Sequence, residues 1–252
     1  MIDLSNRVAL VTGGSRGIGA AIAVMLAKAG TDVAILYRND TKSANAIVNM
    51  IKKLNRTGLA LRGNVEDYNQ CKFCVDAVVK KFKRIDILVN NAGIWEYGEI
   101  GRMTHKQWQK TIDINLTGTF NMCNVVVPFM KKQKYGRIVN IASTAGQRGE
   151  AFYSHYAASK GGVIAFTKSI AVELIKKGIW VNCVAPGWIK TDMVMPEYQN
   201  LKIRKEILRS IPRGKIGLPD EIAGPVLFLS SSLSDNVVGE ILNVNGGSVL
   251  CG

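Results

Sequence analysis

The chain has 252 residues, 47% of them apolar, and 33 Lys and Arg against 19 Asp and Glu give it a net charge of +14. That composition excludes a disordered tail protein, and the length suits one large α/β or barrel domain as well as two small ones. No apolar run approaches the roughly eighteen residues of a membrane span, Met1-Ile2-Asp3 opens no export signal, and the scattered Cys71, Cys74, Cys123, Cys183 and Cys251 suit a reducing compartment, so a soluble cytoplasmic protein is expected.

Val8 to Val11 reads as a strand and Ile18 to Ala29 as the helix after it, with Ile18, Ile22, Met25, Leu26 and Ala29 on one face. The turn between them, Thr12-Gly13-Gly14-Ser15-Arg16-Gly17-Ile18-Gly19, is a candidate dinucleotide site. Its glycines allow close backbone approach to a pyrophosphate, and the helix N-terminus supplies amide donors. The spacing Gly13-xxx-Gly17-x-Gly19 differs from GxGxxG, and the absence of a following Gly-Lys-Ser/Thr argues against a nucleotide triphosphatase loop. Val33 to Leu36 forms the next strand and runs into Tyr37-Arg38-Asn39, where an NAD site usually has a carboxylate roughly 20 residues beyond the turn. Arg38 in that place, together with Arg16, favours the additional phosphate of NADP(H), while Asp40 reads as a helix cap.

The alternation continues with a helix from about Thr41 to Leu54, a strand Leu59 to Leu61, a helix from about Tyr68 to Phe82 and a strand Ile85 to Val89. Cys71-x-x-Cys74 lies inside the second of these helices with no second cysteine pair or nearby histidine, so its thiols read as structural and no metal site is expected. After Asn115 come a helix to about Gln133, the strand Arg137 to Ile141, a helix from about Ser154 to Lys176 and the strand Ile179 to Val184. A last helix near Glu221 to Ser230 precedes the strand Ile241 to Val244. The strands are apolar almost throughout, as strands covered on both faces are. With right-handed crossovers they predict an α/β fold: a single doubly wound, Rossmann-type, seven-stranded parallel sheet with helices on both faces, one domain over residues 1–252.

Residues 191–216 break the rhythm and read either as a mobile substrate lid or as an ordinary surface insertion. Trp95, Tyr153 and Trp188 adjoin motif residues and are candidates for an aromatic pocket wall, whereas Trp108 and Trp180 read as core and His155 as structural or at the rim. Basic groups such as Lys80-Lys81-Phe82-Lys83-Arg84 and Lys176-Lys177 fall at expected helix ends, where they complement helix dipoles; that reading is preferred to nucleic-acid binding.

Tyr156 and Lys160 stand four apart on one predicted helix face. A neighbouring ammonium favours the phenolate, and lowering a phenol by about three pKa units corresponds to roughly 4 kcal/mol. Tyr156 is thus a candidate general acid or base on an alcohol or carbonyl, with Ser143 beside it at the carboxyl end of the fifth strand, where open α/β sheets bind ligands.

Together these residues resemble the short-chain dehydrogenase/reductase family over essentially the whole chain. The resemblance rests on Thr12-Gly13-xxx-Gly17-x-Gly19, Asn90-Asn91-Ala92-Gly93, Asn115, Ser143, Tyr156-Ala-Ala-Ser-Lys160 and Pro186-Gly187, in order and at the family's distances. It implies that Ser143 positions the substrate oxygen, Tyr156 donates the proton, Lys160 binds the nicotinamide ribose and tunes the tyrosine, and Asn115 supports a water-linked relay. Asn91, Ala92 and Gly93 would lie along the adenosine-side ribose, and Ile189 and Thr191, after Pro186-Gly187, would contact the carboxamide. Asn64-Val65 stands where the family usually has Asp-Val beside the adenine.

Within the family the chain is most similar to 3-oxoacyl-[acyl-carrier-protein] reductases, in tracts such as Gly136-Arg137-Ile138-Val139-Asn140-Ile141 and Leu242-Asn243-Val244-Asn245-Gly246-Gly247. This implies NADPH-dependent reduction of a carrier-linked 3-oxoacyl thioester. Acyl carrier protein is acidic and would be the partner of the positive charge, with Lys134 and Lys177 in the place of carrier-docking residues. Small residues along the catalytic helix, Ala157, Ala158, Gly161 and Ala165, accord with the family's homotetramer. A reductase of a small free ketone, alcohol or sugar is the alternative. A non-catalytic basic binding protein is more remote, given the complete set of Asn115, Ser143, Tyr156 and Lys160.

Overall fold

A computed structural model describes residues 2–250, so Cys251 lies outside the described residues. Strands β1 (Val8–Thr12), β2 (Asp32–Tyr37), β3 (Gly58–Arg62), β4 (Ile87–Asn90), β5 (Gly136–Ile141), β6 (Ile179–Pro186) and β7 (Ile241–Val244) form one seven-stranded sheet in the order β3-β2-β1-β4-β5-β6-β7. Every pairing is parallel, with Val8 opposite Asp32 on one side of β1 and Ala9 opposite Ile87 on the other. Because the chain leaves β1 toward β3 and then returns to β4, the strand order reverses between β1 and β4, where a doubly wound sheet opens a crevice.

Ten helices connect the strands: α1 (Gly17–Lys28), α2 (Thr41–Lys53), α3 (Tyr68–Phe82), α4 (His105–Ile112), α5 (Gly118–Gln133), α6 (Ala145–Arg148), α7 (Ser154–Leu174), α8 (Met195–Gln199), α9 (Leu201–Arg209) and α10 (Pro219–Leu229) among the described residues. The period-two pleat sends neighbouring strand residues into separate cores. Ala9, Val11, Val33 and Ile35 meet Ile22 and Leu26 of α1, Val48 of α2 and Val226 of α10. Val8, Leu10, Ala34 and Leu36 face the other way, onto Cys74 and Val78 of α3, Met122 and Val126 of α5, and Leu174 of α7. That double cover accounts for the almost uninterrupted apolar runs of the strands.

Local chemistry fixes several helix starts. Asp40 caps α2 by accepting from the Ser43 amide at 2.9 Å, Asp67 caps α3 from Gln70 at 3.0 Å, and Thr104 and Gln107 close a reciprocal box on α4. Between α4 and α5 the residues Asp113–Thr117 widen into one π-helical turn. The segment 191–216, which breaks the pattern in the sequence, carries α8 and α9, and Ile207 and Ile211 anchor it in buried positions.

Helix ends carry their cations where the dipole asks for them: Lys28, Lys52 and Lys53, Lys80 and Lys81, Lys131 and Lys132, then Lys176 and Lys177 in a short 3-10 turn after α7. Since the connecting helices run antiparallel to the strands, these lysines gather at the edge where the strands begin.

Two tryptophan expectations need correction. Trp108 is 40% exposed, because α4 is polar nearly all round and buries only Thr111. Trp180 is half-buried: its Nε1 donates to the Asp235 carbonyl at 2.9 Å, and the Arg137 guanidinium lies 4.7 Å from its ring. No helix among the described residues is long and apolar enough to cross a membrane.

Candidate active site

A cavity of about 630 Å³ opens at the carboxyl ends of β1, β2, β4, β5 and β6. Gly13, Ser15, Arg16, Gly17 and Ile18 line one end, with Arg38, Asn39 and Asp40 after β2 and Asn64, Val65 and Glu66 after β3. Ser143, Tyr156 and Lys160 line the other, with Trp95, Glu150 and Trp188, and Asn91, Ala92, Gly93, Pro186, Gly187, Ile189 and Thr191 lie along the course between them.

The glycine turn has the geometry of an anion cradle. Gly13 and Gly17 adopt φ of +63° and +54°, and a Cβ on Gly19 would lie 2.3 Å from the Gly13 carbonyl oxygen, so the first turn of α1 presses directly on the loop. Unlike α2, α3 and α4, α1 has no side chain capping its first amides, which leaves those donors for an anionic ligand. Thr12, which sequence reasoning left without a role, is the clasp of this end: its buried hydroxyl accepts from the Asn91 and Ala92 amides at 2.9 and 3.0 Å. Asn91 in turn donates through Nδ2 to the carbonyls of Thr12 at 3.0 Å and Gly13 at 3.3 Å, so its side chain braces the turn from below. The Asn64-Val65 turn is tied by Asn121, whose Nδ2 donates to the Val65 carbonyl at 2.9 Å, and by Gln70, which accepts from the Asn64 amide at 3.0 Å. These residues fit an extended dinucleotide with its phosphates on α1. Arg16 and Arg38, both exposed on the cavity lining, supply positive charge at its outer end.

At the other end α7 presents Tyr156 toward the loop after β5, where Ser143 is close enough to act on its phenol. Ser143 Oγ also accepts from the Ala145 amide at 3.1 Å, which holds its side chain at the start of α6. One turn along α7, Lys160 is buried; its Nζ donates to the Ile141 carbonyl at 2.8 Å and lies 5.9 Å from the Tyr156 ring centre. Asn115 sits fully buried in the π-helical turn. Its Oδ1 accepts from the Ile94 amide at 2.8 Å, and its Nδ2 donates to the Ile94 carbonyl and Ser159 Oγ, each at 3.0 Å. The widened turn thus locks the loop after β4 to α7, a placement that no periodicity in the sequence signals.

Charge states differ from the expectation that Lys160 draws the phenol down. Burial pushes the Tyr156 phenol up to about 12, Ser143 pulls the other way, and the Glu150 carboxylate adds to the rise. Burial also brings the Lys160 ammonium down to about 8. Desolvation therefore governs both groups, and the Tyr156 phenol keeps its proton at neutral pH.

Trp95 stacks on Tyr153 with ring centres 4.3 Å apart and meets Trp188 edge-on at 5.7 Å, so the three expected aromatic residues do form one cluster. Glu150, which nothing in the sequence singled out, joins them by accepting from Trp95 Nε1 at 3.3 Å. Residues 191–194 lie over the glycine turn, where a Cβ on Gly17 would come within 3.3 Å of the Thr191 methyl carbon. His155 is buried in its own chain and stays off the cavity lining. Burial holds the Cys71 thiol at about 12 and raises that of Cys74, which suits inert core thiols. No cluster of three or more His, Cys, Asp and Glu suited to a metal occurs among the described residues.

Lys134 and Lys177 lie away from the cavity within one chain. Lys134 ends α5 in a left-handed conformation, Lys177 closes the turn after α7, and Gly178 packs on the Lys134 carbonyl. These residues immediately precede β5 and β6, whereas the cavity opens where those strands end. A six-residue strand separates the two edges by about 17 Å. Within one chain the two lysines are neighbours of each other but do not border the cleft, because in a parallel sheet helix C-termini and ligand sites fall at opposite edges.

Comparison with known proteins agrees with this geometry. The family described as enoyl-(acyl carrier protein) reductase matches residues 13–248. A 3-oxoacyl-[acyl-carrier-protein] reductase of Synechocystis sp. is 42% identical over 99% of this chain and 100% of its own length. The same-named reductase FabG of Staphylococcus aureus strain Mu50 is 41% identical over 96% of this chain and 98% of its own. Among solved structures, one assigned to a short-chain alcohol dehydrogenase of Sinorhizobium meliloti 1021 superposes with a TM-score of 0.94 at 33% identity, covering 98% of each chain.

Proposed function

Because this chain belongs to the short-chain dehydrogenase/reductase family, we propose that it is an NADP(H)-dependent reductase that converts a 3-oxoacyl thioester on acyl carrier protein into the 3-hydroxyacyl form. The observation that carries the reading is the meeting of Ser143, Tyr156 and a buried Lys160 in one cavity lining, together with an uncapped, glycine-lined helix start. The high identity to reductases named for carrier-linked 3-oxoacyl substrates supports the choice of substrate.

When bound, the reduced nicotinamide supplies the hydride for the carbonyl carbon; the rest is proton chemistry by this chain. Ser143 holds the substrate oxygen by hydrogen bonding, and Tyr156 Oη gives it the proton. A phenol that holds its proton through neutral pH is suited to that donor role. The phenolate left behind is stabilised by the Lys160 ammonium, whose positive charge lies one helical turn away. Asn115, by fixing Ile94 and Ser159, keeps the loop after β4 and the catalytic helix in register. Arg16 and Arg38 hold the adenosine phosphate that distinguishes NADP(H) from NAD(H). The same reading takes the enzyme as cytoplasmic and homotetrameric, with residues 191–216 acting as the substrate lid.

The direct test compares cofactor oxidation with acetoacetyl-carrier protein and with the same acyl group on a small thiol. A clear kcat/KM advantage for the carrier substrate is expected, and equal efficiency would withdraw the carrier. The second reading, a reductase of small free ketones, alcohols or sugars, draws support from the compact aromatic wall of Trp95, Tyr153 and Trp188 and from the alcohol dehydrogenase assignment of a close structural match.

A further inference from the structure

The substrate half of the cavity contains a carboxylate that the proton chemistry does not use. Glu150 stands between α6 and α7, just after Gly149 with φ of +80°, and lines the same cavity as Ser143 and Tyr156. Its Oε2 holds the Trp95 indole N–H at 3.3 Å. The indole is packed on two further sides, flat on Tyr153 with planes 8° apart and edge-on to Trp188 at 88°, so the carboxylate and the aromatic plate form one contiguous cluster.

Burial is the main cause that raises the Tyr156 and Tyr153 phenols; the Glu150 charge adds to both, after the Glu197 carboxylate in the case of Tyr153, which puts Glu150 within electrostatic reach of the atom that donates the proton. Burial raises the Glu150 carboxyl itself, against the Trp95 hydrogen bond and the Arg148 guanidinium. Arg148 is exposed at the cavity rim, where water and salt screen it, so it offsets the inner charge only in part.

We propose that Glu150 is a specificity-determining residue that makes this cavity accept carbonyl compounds that are neutral beyond the reacting carbonyl and reject those that carry a carboxylate there. The inference rests on the reading that Ser143 and Tyr156 reduce a carbonyl in this cavity. A thioester, an ester or a diketone meets the condition. A free 3-oxo acid does not, since its carboxylate must enter a partly desolvated space beside a fixed like charge. The substrate on its thioester is thereby separated from the acid that hydrolysis releases from it.

The test measures kcat/KM by cofactor oxidation for ethyl acetoacetate and acetoacetate at pH 7.5, in the unaltered protein and in Glu150→Gln. Glutamine keeps an acceptor for the Trp95 N–H and removes the charge. The ester-over-acid ratio is expected to fall at least tenfold, mainly through a gain on acetoacetate. A role limited to bracing Trp95 would instead lower both substrates together. Trp95→Phe, which loosens the plate but keeps the charge, should retain the preference for the ester. A ratio that moves by less than tenfold in Glu150→Gln overturns the assignment.

If the unaltered protein turns over neither compound, the same pair is compared by quenching of tryptophan fluorescence with cofactor present. Glu150→Gln should then tighten acetoacetate binding tenfold relative to the ester, and a smaller relative change overturns the assignment. Loss of the carrier advantage with a shifted ratio defeats only the carrier reading. A retained carrier advantage with an unshifted ratio defeats only the role of Glu150.

Discussion

Replacing Lys160 with Met should make the cofactor-free protein more stable while stopping the reaction. Lys160 is 5% exposed, and burial brings its ammonium from 10.5 to about 8. A fall of that size corresponds to about 3 kcal/mol against the folded state wherever the group is charged. The unfolded chain binds the proton more tightly, so this cost is fully present below about pH 8 and fades as the pH rises toward 10.5. Methionine fills a similar volume, but it gives up the hydrogen bond to the Ile141 carbonyl, a loss of about 1–2 kcal/mol. The net expectation is a gain of about 1–2 kcal/mol at pH 7, which for a domain of this size raises Tm by roughly 2–8 °C. Calorimetric melting at pH 7 and again near pH 10, without cofactor, measures it directly. A variant that melts at or below the original at pH 7, or a gap of equal size at both pH values, would refute the claim that buried charge is what Lys160 costs the fold.

Tyr156→Phe should lower the rate of carbonyl reduction by about 10²–10⁴-fold, the usual loss on removing a general acid, with cofactor affinity by calorimetric titration little changed. Preference for NADPH over NADH, read from the ratio of kcat/KM values, should weaken or reverse in Arg38→Asp; equal use of both cofactors before substitution would remove the basis for the assignment. Gly19→Ala drives a methyl to 2.3 Å from the Gly13 carbonyl oxygen. It should weaken cofactor binding at least tenfold in the same titration, and an unchanged affinity would mean that the turn does not receive the phosphates.

Legibility in the sequence tracked how local the determinant was. Strands such as Val33 to Leu36 announced themselves by continuous apolar character, and α2 by Asp40 placed one residue ahead of its first turn. The glycine turn and the Tyr156, Lys160 pair were visible because their spacing is fixed by one turn and one helix, and Ser143 because it directly follows an apolar strand. What escaped depends on contacts far apart in the chain. Thr12 reaches Asn91 across 79 positions, Glu150 meets Trp95 across 55, and the widened turn at Asn115 exists only where the loop after β4 needs it. The direction of the Tyr156 shift was equally hidden, since an i to i+4 lysine is written in the sequence while the burial that overrides it is a property of the packed cavity. Lys134 and Lys177 both follow helices, and within one chain helix C-termini lie at the far edge of a parallel sheet from the cavity, a separation that spacing in the sequence does not display.

The collection of helix-terminal lysines at the edge where the strands begin gives the molecule a handedness toward charged surfaces. On a sulfonated bead or a negatively poised electrode, Lys28, Lys52, Lys53, Lys80, Lys81, Lys131, Lys132, Lys176 and Lys177 present a cationic footing, and the cavity is at the opposite edge of the sheet. Adsorption through that footing leaves the cleft facing the liquid, so immobilisation needs no engineered tag to keep it open, and a wash of moderate salt releases the protein again.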